Sequence, residues 1–300
     1  MPKSLTLIHT DAYGHWVFNS THPTQGRRFI NGREQLIRVA ATGDVNVHEM
    51  EPSGVCPEGM LHLAHSPEYV ISVMQDGLCG EWNGRRQDLA TIAASIVQGT
   101  LDCFDVLHSG SALTAVNLAG AKHHAQRDHS SGFCVFNDFA IAAQHATSLG
   151  HRVAILDVDA HRGDGTEALT ASNLDVLTFS IHDVTSFPWE EGENLPTLQL
   201  FNRPLAGGSG GVELLNAVNE FIELAKMFNP TLLFITAGAD GHTADPLANL
   251  EYEVADYVAV AQLLRTAFPT LPTLIGGAGG YRPDDFTPEV WANFAVAMAV

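Results

Sequence analysis

The sequence has few positive charges. Of its 300 residues, 15 are Lys or Arg and 34 are Asp or Glu, which gives a formal net charge of −19 at pH 7. Phosphate binding needs clustered Lys and Arg, so this charge predicts that no nucleic acid is a partner. An acidic surface that keeps the protein in solution is the ordinary interpretation, and attraction of a cationic substrate is the alternative.

Cysteines are also scarce. The four cysteines, at positions 56, 79, 103 and 134, are widely spaced and form no CxxC pair. This spacing predicts neither a cysteine-rich zinc site nor a disulfide framework, and it is typical of a reducing compartment. The sequence also lacks a signal-peptide core and any unbroken run of about 18 apolar residues. We therefore expect a cytoplasmic protein with no membrane partner and no membrane-spanning helix.

Short apolar runs alternate with amphipathic stretches along the chain. The runs SLTLIH, TAVNLAG, RVAILDV, DVLTFSIH, TLLFITAG and PTLIGGA predict strands, and helical patterns cover 88–107, 138–149, 212–227 and 254–267. Strands that are apolar on both faces and alternate with helices are typical of a parallel sheet between helix layers. We predict one α/β domain over residues 1–300, with three layers (α/β/α) and a mostly parallel central sheet.

Histidines and acids are concentrated just after the predicted strands. In open α/β sheets, ligands bind beyond the carboxyl ends of the strands, so the segments that follow the strands should converge in space. These segments are KHHAQRDHSSGF (122–133), DVDAH (157–161), SIHD (180–183), AGADGH (237–242) and GGAGGY (276–281).

Two of these segments together predict a metal site. Asp159 and His161 are two residues apart on an extended stretch, so their side chains face the same side. Asp240, at the end of a neighbouring strand, can reach the same ion. One imidazole and two carboxylates suit Zn²⁺, or another divalent metal such as Fe²⁺, with a position left for water.

Two adjacent histidines, His123 and His124, follow another predicted strand. Asp157 and Asp164 lie near the metal motif but are not among its predicted metal ligands. A carboxylate behind an imidazole fixes the tautomer of the imidazole and raises its basicity. We predict two His–Asp pairs, of which one acts as general base and then as general acid.

The segment GGAGGY ends in Tyr281. A phosphate-binding loop is the competing interpretation, but that motif requires a helix directly after the glycines, and here Arg282 and Pro283 follow. A tyrosine hydroxyl beside a metal polarises a carbonyl and stabilises its oxyanion.

These motifs, in their order along the chain, resemble those of the histone deacetylase superfamily, which includes acetylpolyamine amidohydrolases and acetoin-utilisation proteins. The resemblance extends from HPTQGRR (22–28) through LHLAHSPEYV (61–70), HHA, GFCVFNDFAIAA, ILDVDAHRGDGTE, FSIH and GADGHTADPL to GGAGGY. It covers nearly the whole chain and implies the arginase–deacetylase fold. The implied activity is zinc-dependent removal of an acyl group, usually acetyl, from an amine such as an acyl-lysine side chain.

The resemblance also implies a role for each residue. Zinc would be bound by Asp159, His161 and Asp240. The proton-transferring and electrostatic groups would be His124 with Asp164, His123 with Asp157, and Tyr281 at the oxyanion. A structural potassium ion would be bound by Asp157, Asp159, His161 and Ser180. Substrate would contact Gly132, Phe133, Phe187 and Leu247, and Arg28 would lie in an inner channel behind the metal.

Three features depart from the family pattern. Arg162 follows the metal-binding histidine, where the family usually has a second histidine. The segment HDVTSFPWEEGENLP lacks the usual PGTG loop and carries Trp189, Glu190 and Glu191. Leu247 follows Asp-Pro, where polyamine-selective members can carry a glutamate, and this disfavours a polyamine substrate. Substrate choice at the rim is therefore open.

Three alternatives stay open at this point. The substrate could be a small-molecule amide or an acetylpolyamine. The chain could be a ureohydrolase-like enzyme with two manganese ions, although the acid after His161 comes three residues later rather than two. It could also be a non-catalytic binding module on the same scaffold, although every catalytic residue type is present.

Overall fold

The strands of the domain form one sheet, and every pairing in it is parallel. This computed structural model describes residues 3–299. Within that range the strands are β1 (Lys3–Ile8), β2 (Val45–Met50), β3 (Thr114–Asn117), β4 (Val153–Asp157), β5 (Val176–Asp183), β6 (Leu200–Leu205), β7 (Leu232–Thr236) and β8 (Thr273–Gly276). Their order across the sheet is β2-β1-β3-β8-β7-β4-β5-β6.

Helices connect the strands and cover the sheet. They are α1 (Arg27–Thr42), α2 (Glu58–Leu61), α3 (Pro67–Met74), α4 (Gln87–His108), α5 (Asp138–Ser148), α6 (Asp164–Thr170), α7 (Gly211–Phe228), α8 (Val254–Ala267) and α9 (Phe286–Met298), with short 3-10 helices at Asp11–His15 and Pro196–Leu198. Helices α1, α9, α8 and α7 pack side by side as one layer, and α3, α4, α5 and α6 form the other.

The central strands are fully buried because helices cover both of their faces. Every residue of β3, β4, β5, β7 and β8 is buried, and the apolar runs in these strands supply much of the core. Burial on both faces favours continuous apolar strands over alternating ones. The predicted three-layer α/β/α fold is confirmed, and the sheet is entirely parallel rather than mostly parallel.

The four predicted helices correspond to α4, α5, α7 and α8, with ends that agree within one residue. The sequence analysis missed the edge strands β2 and β6 and the helices α1, α2, α3, α6 and α9. Strand β2 is largely exposed and reads VNVHEM, so it carries none of the apolar continuity that marks the central strands. An edge strand has one partner strand and less core to face, which explains the weak pattern.

The carboxyl ends of the central strands are aligned. Asp157 at the end of β4 pairs with Ser180 of β5 and with Thr236 of β7, and Thr236 pairs with Gly276 at the end of β8. Gly276 in turn pairs with Asn117 at the end of β3. The loops after these five strands therefore start from one edge, as the sequence predicted for its polar segments.

Helix α4 (Gln87–His108) bears on the expectation that no helix spans a membrane. It is long and apolar enough to cross a membrane by length and composition alone. In the fold, 72 % of its most apolar window is buried, and α4 packs against β1, β3 and β8. Its apolar surface is accounted for by the core of the domain.

Helices α1 and α9 are held together by stacked aromatic rings, which gives a test of the core. The Trp291 ring stacks on Phe29 with a 6.0 Å centroid separation, and its Nε1–H donates to the Gly277 carbonyl over 2.8 Å. We expect Trp291→Ala to lower the free energy of unfolding by about 3–5 kcal/mol, because it leaves a cavity and an unpaired carbonyl. Equilibrium denaturation with urea measures this.

The matched control is Met227→Ala on the exposed face of α7, which we expect to stay within about 0.5 kcal/mol of wild type. A loss below about 1 kcal/mol for Trp291→Ala would contradict this account of the α1–α9 contact.

Candidate active site

Three buried side chains with metal-binding atoms converge beyond β4 and β7. Nδ1 of His161 lies 3.1 Å from Oδ1 of Asp159 and 3.0 Å from Oδ2 of Asp240. Both carboxylates are fully buried, and the three groups offer ligand atoms within 4.8 Å of one another. Two buried carboxylates facing one imidazole nitrogen fit a divalent cation, because each carboxylate charge removed from water needs compensation.

Backbone N–H groups fix the orientation of both carboxylates. Gly279 N–H donates to Oδ2 of Asp159 over 2.7 Å, and Ala160 N–H donates to Oδ1 of Asp240 over 2.9 Å. A Cβ atom at position 279 would collide with the carboxylates of both acids. This close approach of backbone to carboxylate explains the glycine in the segment GGAGGY.

The adjacent histidines form the two predicted pairs. Nδ1 of His123 lies 2.7 Å from Oδ2 of Asp157, and Nδ1 of His124 lies 2.7 Å from Oδ1 of Asp164. The two imidazole centroids are 4.0 Å apart. Gln126 also donates to Asp164, so the carboxylate behind His124 is held from two sides.

The two histidines have opposite pKa shifts. Burial lowers the pKa of His123, but the carboxylates of Asp157 and Asp159 outweigh burial and raise this pKa to about 9. Burial and the positive charge of His123 lower the pKa of His124 to about 4, against the opposing effect of Asp164. At neutral pH, one imidazole is therefore protonated while the other is free to accept a proton.

The loop that carries the histidines is fixed by the start of α5. Asp138 accepts the N–H groups of Ala121 over 2.9 Å and of Lys122 over 2.7 Å. Asn137 donates from its side chain to the carbonyl of His123 over 3.3 Å. Because these partners are buried, the backbone before the histidine pair is held in one conformation.

A cavity of about 570 Å³ opens onto these groups. Of the substrate-contact residues that the resemblance implies, Gly132, Phe133, Phe187 and Leu247 line it, together with His124, His161 and Tyr281. Gly132 has a φ of +53°, and a Cβ atom there would collide with the imidazole of His124. The glycine is required for the cavity wall to lie against that histidine.

The remaining predicted residues lie behind or beside this cavity. Arg28 lines a small inner space with Lys122, Cys134 and Tyr281, and its Nη1 donates to the Gly280 carbonyl over 2.8 Å. Ser180 lies in β5, where its Oγ accepts the N–H of Gly163 over 3.3 Å. It lines neither the main cavity nor this inner space.

Tyr281 connects the inner space to the main cavity. Its ring packs edge-on against Phe133 at a centroid distance of 5.9 Å, and burial raises the pKa of its hydroxyl well above the usual value. Its backbone N–H donates to Oδ2 of Asp245 over 2.7 Å. The hydroxyl is therefore neutral at physiological pH and available as a hydrogen-bond donor.

The sequence analysis placed Asp183 in the converging segment 180–183 but gave it no role, and in the structure this residue joins the two walls of the cavity. Asp183 accepts hydrogen bonds from Thr185 and Ser186 on one wall and from the N–H of Asn249 on the other. Burial raises its pKa, but these hydrogen bonds outweigh burial and lower it. The D-x-T-S pattern is a turn signal that could have identified the first set of contacts, whereas the contact with Asn249 spans 66 residues.

Comparison with known proteins identifies the family. The family model for the histone deacetylase domain matches residues 22–298. The chain belongs to the histone deacetylase family. Membership makes it a hydrolase that acts on acetyl amides, which confirms the predicted enzyme class. It also indicates a divalent metal, for which Asp159, His161 and Asp240 are the candidate ligands.

Curated relatives and a solved structure agree with this assignment. The acetoin utilization protein AcuC of Bacillus subtilis (strain 168) is 30 % identical, over 99 % of this chain and 82 % of its own length. AcuC of Staphylococcus aureus (strain MRSA252) is 28 % identical, over 97 % and 80 %. The crystal structure of the HDA15 HD domain covers 98 % of this chain and 89 % of its own, with a TM-score of 0.86. Its 22 % identity shows a shared fold.

The geometry of the metal-ligand candidates generates a direct test. We expect wild-type protein to bind one divalent ion per chain at this cluster. Asp240→Asn should weaken binding by more than the roughly 10–100-fold that loss of an outer-shell residue causes, because it removes a ligand charge. Elemental analysis and competition with a chelator measure both quantities. Asp164→Asn, which lies outside the cluster, should keep its metal, and equal metal content in all three proteins would contradict the assignment.

Proposed function

We propose that this chain removes an acyl group, most simply acetyl, from an acylated lysine side chain or a similar acylated amine. One observation carries the proposal. The buried cluster of Asp159, His161 and Asp240 and the His124–Asp164 pair meet at the inner end of an aromatic-walled cavity. A cavity with apolar walls and convergent polar groups at one end suits a substrate with an apolar stem and a polar reactive group at its tip.

Zinc is the ion we assign to the cluster. Asp159, His161 and Asp240 would hold it, and one imidazole with two carboxylates is a ligand set that leaves zinc a position for water or substrate. When bound, it would supply the Lewis acidity that activates a water and polarises the scissile carbonyl. Fe²⁺ is compatible with the same ligands. The protein groups around the cluster then perform the proton transfers.

His124 is the group we assign to proton transfer. Its lowered pKa keeps the imidazole neutral, so it accepts a proton from the attacking water and later donates it to the departing amine. Asp164 holds the ring through Nδ1, which leaves Nε2 as the accepting atom. His123, protonated and held by Asp157, contributes positive charge where negative charge develops.

Tyr281 and the aromatic residues complete the assignment. The neutral tyrosine hydroxyl donates a hydrogen bond to the carbonyl oxygen. This hydrogen bond becomes stronger as the oxygen gains negative charge. Phe133 and Phe187 line the cavity and exclude water from the aliphatic part of the substrate. Leu247, an apolar residue on the same cavity, gives no charge for a polyamine chain to pair with.

Further parts of the proposal rest on the family resemblance. A structural potassium ion would bind through Asp157, Asp159, His161 and Ser180. Two of these residues, Asp157 of β4 and Ser180 of β5, are paired in the sheet. We propose that residues 1–300 act as one catalytic domain, in the cytoplasm and without a nucleic acid or membrane partner. One cluster with metal-ligand spacing occurs within residues 3–299, which favours a mononuclear deacetylase over a two-manganese ureohydrolase.

The role of Tyr281 gives the sharpest test of the mechanism. Tyr281→Phe removes one oxyanion donor and should lower kcat/KM by about 10²–10³-fold. Metal content should stay unchanged, because the hydroxyl is not among the candidate ligands. The assay uses zinc-loaded protein and a panel of an acetyl-lysine peptide, an acetylpolyamine and a small acetyl amide.

The matched control is Tyr252→Phe, another buried tyrosine, whose hydroxyl has no hydrogen-bond partner among residues 3–299. It should keep activity within about threefold of wild type, since no oxyanion contact is lost. Full activity in Tyr281→Phe would refute the role of its hydroxyl. Inactivity of the wild-type protein on the whole panel would favour a binding module.

A further inference from the structure

Arg162 lies in the turn that carries the catalytic groups. It separates the metal-ligand candidate His161 from Gly163 and Asp164, and Asp164 holds His124. The Arg162 side chain is only 12 % exposed, yet its Nη2 lies 3.2 Å from Oε2 of Glu190, which is 72 % exposed. The Arg162 side chain therefore extends from the turn beside the catalytic groups to an exposed residue of the loop that follows β5.

Glu190 belongs to residues 186–194, which we call the rim segment. At one end of the segment, the ring of Phe187 packs edge-on against His124 at a centroid distance of 4.9 Å. Trp189 packs edge-on against Phe187 at 5.2 Å, and both aromatic residues line the main cavity. The indole is 71 % exposed, so contacts from outside the cavity hold it only weakly.

The other end of the rim segment is tied to the sheet. Asn202 donates from its side chain to the Glu193 carbonyl over 3.0 Å, and its N–H donates to Oδ1 of Asn194 over 2.7 Å. Nε2 of His182 lies 3.1 Å from the Glu191 carbonyl. These contacts fix residues 191–194, and at the aromatic end the Ser186 hydroxyl donates to Asp183 over 2.6 Å. Phe187, Trp189 and Glu190 lie between these two anchors.

Arg162 fills the space under the middle of the rim segment. A Cβ atom at Gly192 would collide with the side chain of Asn202 and would lie 2.8 Å from Nη1 of Arg162, and Gly192 has a φ of +73°. The guanidinium therefore lies close to the backbone at this position, and it also pairs with Glu190. The segment thus approaches the Arg162 side chain at two points, Gly192 and Glu190.

A buried carboxyl lies in the neighbourhood of Arg162. Glu167 on α6 is buried, and its Oε1 has no hydrogen-bond partner within residues 3–299. Burial raises the pKa of this carboxyl to about 7, and the positive charge of Arg162 opposes that shift. The ion pair of the guanidinium is with the exposed carboxylate of Glu190.

We propose that Arg162 is a positioning residue that determines substrate specificity: its guanidinium supports the rim segment, so that Phe187 and Trp189 keep the outer wall of the cavity in place. The effect on substrates rests on the proposed function. The effect on the order of residues 186–194 does not. This assigns a role to the position where the sequence departs from the His-His pattern.

The test compares Arg162→Met, which removes the charge and keeps most of the side-chain length, with Arg162→Lys, which keeps the charge. Hydrogen exchange is followed in peptides that cover 186–194, with peptides from β4 and β7 as internal references. We expect Arg162→Met to exchange about tenfold faster in the rim segment alone, because a local opening becomes easier. Arg162→Lys should recover most of the protection.

Kinetics on the zinc-loaded protein test the second half of the proposal. In Arg162→Met, KM for an acetyl-lysine peptide should rise about tenfold while kcat stays within about threefold, since the rim contributes binding and not chemistry. A small acetyl amide that does not reach the rim should show an unchanged KM. Glu190→Gln removes only the charge of the exposed partner. It should raise KM for the acetyl-lysine peptide by about two- to threefold and leave KM for the small amide unchanged.

Arg33→Met is the matched control, because Arg33 pairs with Glu49 on β2, at the opposite edge of the sheet from β6 and its contacts with the rim segment, and should change neither readout. Unchanged exchange of residues 186–194 in folded Arg162→Met overturns the proposal. Faster exchange with an unchanged peptide KM overturns the assignment of specificity. If the wild-type protein lacks acetyl-lysine activity, the proposed function fails, and hydrogen exchange still decides whether Arg162 positions the segment.

Discussion

The alignment of five parallel strands at their carboxyl ends is the constraint on which the site depends. Asp157 ends a buried strand in register with Ser180 and Thr236, so the backbone that follows must turn where helices and neighbouring loops already exclude water. Carboxylates placed there, such as Asp159 and Asp240, cannot be solvated. Their charges have to be balanced by N–H groups, imidazoles and a cation, and those groups are the components of a hydrolytic site.

The same buried environment gives two chemically identical side chains different pKa values. His123 and His124 are adjacent, both buried, and each faces one aspartate. His123 additionally faces Asp159, whereas His124 faces the positive charge of its neighbour. The asymmetry therefore comes from the surroundings, because equal intrinsic pKa values are shifted in opposite directions by unequal numbers of nearby carboxylates.

The sequence alone predicted the structure correctly wherever one residue pattern is typical of one local structure. Fully apolar strands such as VAILD identified the centre of the sheet, and the polar residues after them identified its active edge. The edge strands escaped prediction because half-exposed strands resemble loops. Contacts such as Asp183 with Asn249 or Arg162 with Glu190 join loops that are distant in sequence, and no local pattern encodes which loops meet.

The hydrogen bonds of Asp183 have a consequence for how new specificity can arise. One carboxylate holds both Ser186 and Asn249. A substitution that shifts one wall of the cavity therefore also moves the carboxylate that positions the other wall. Loop changes in 184–187 and 246–249 are thus energetically coupled, and their effects should combine non-additively. An evolutionary path to a different acyl-amine would pass through paired replacements, and the order in which they occur would decide which intermediates remain viable.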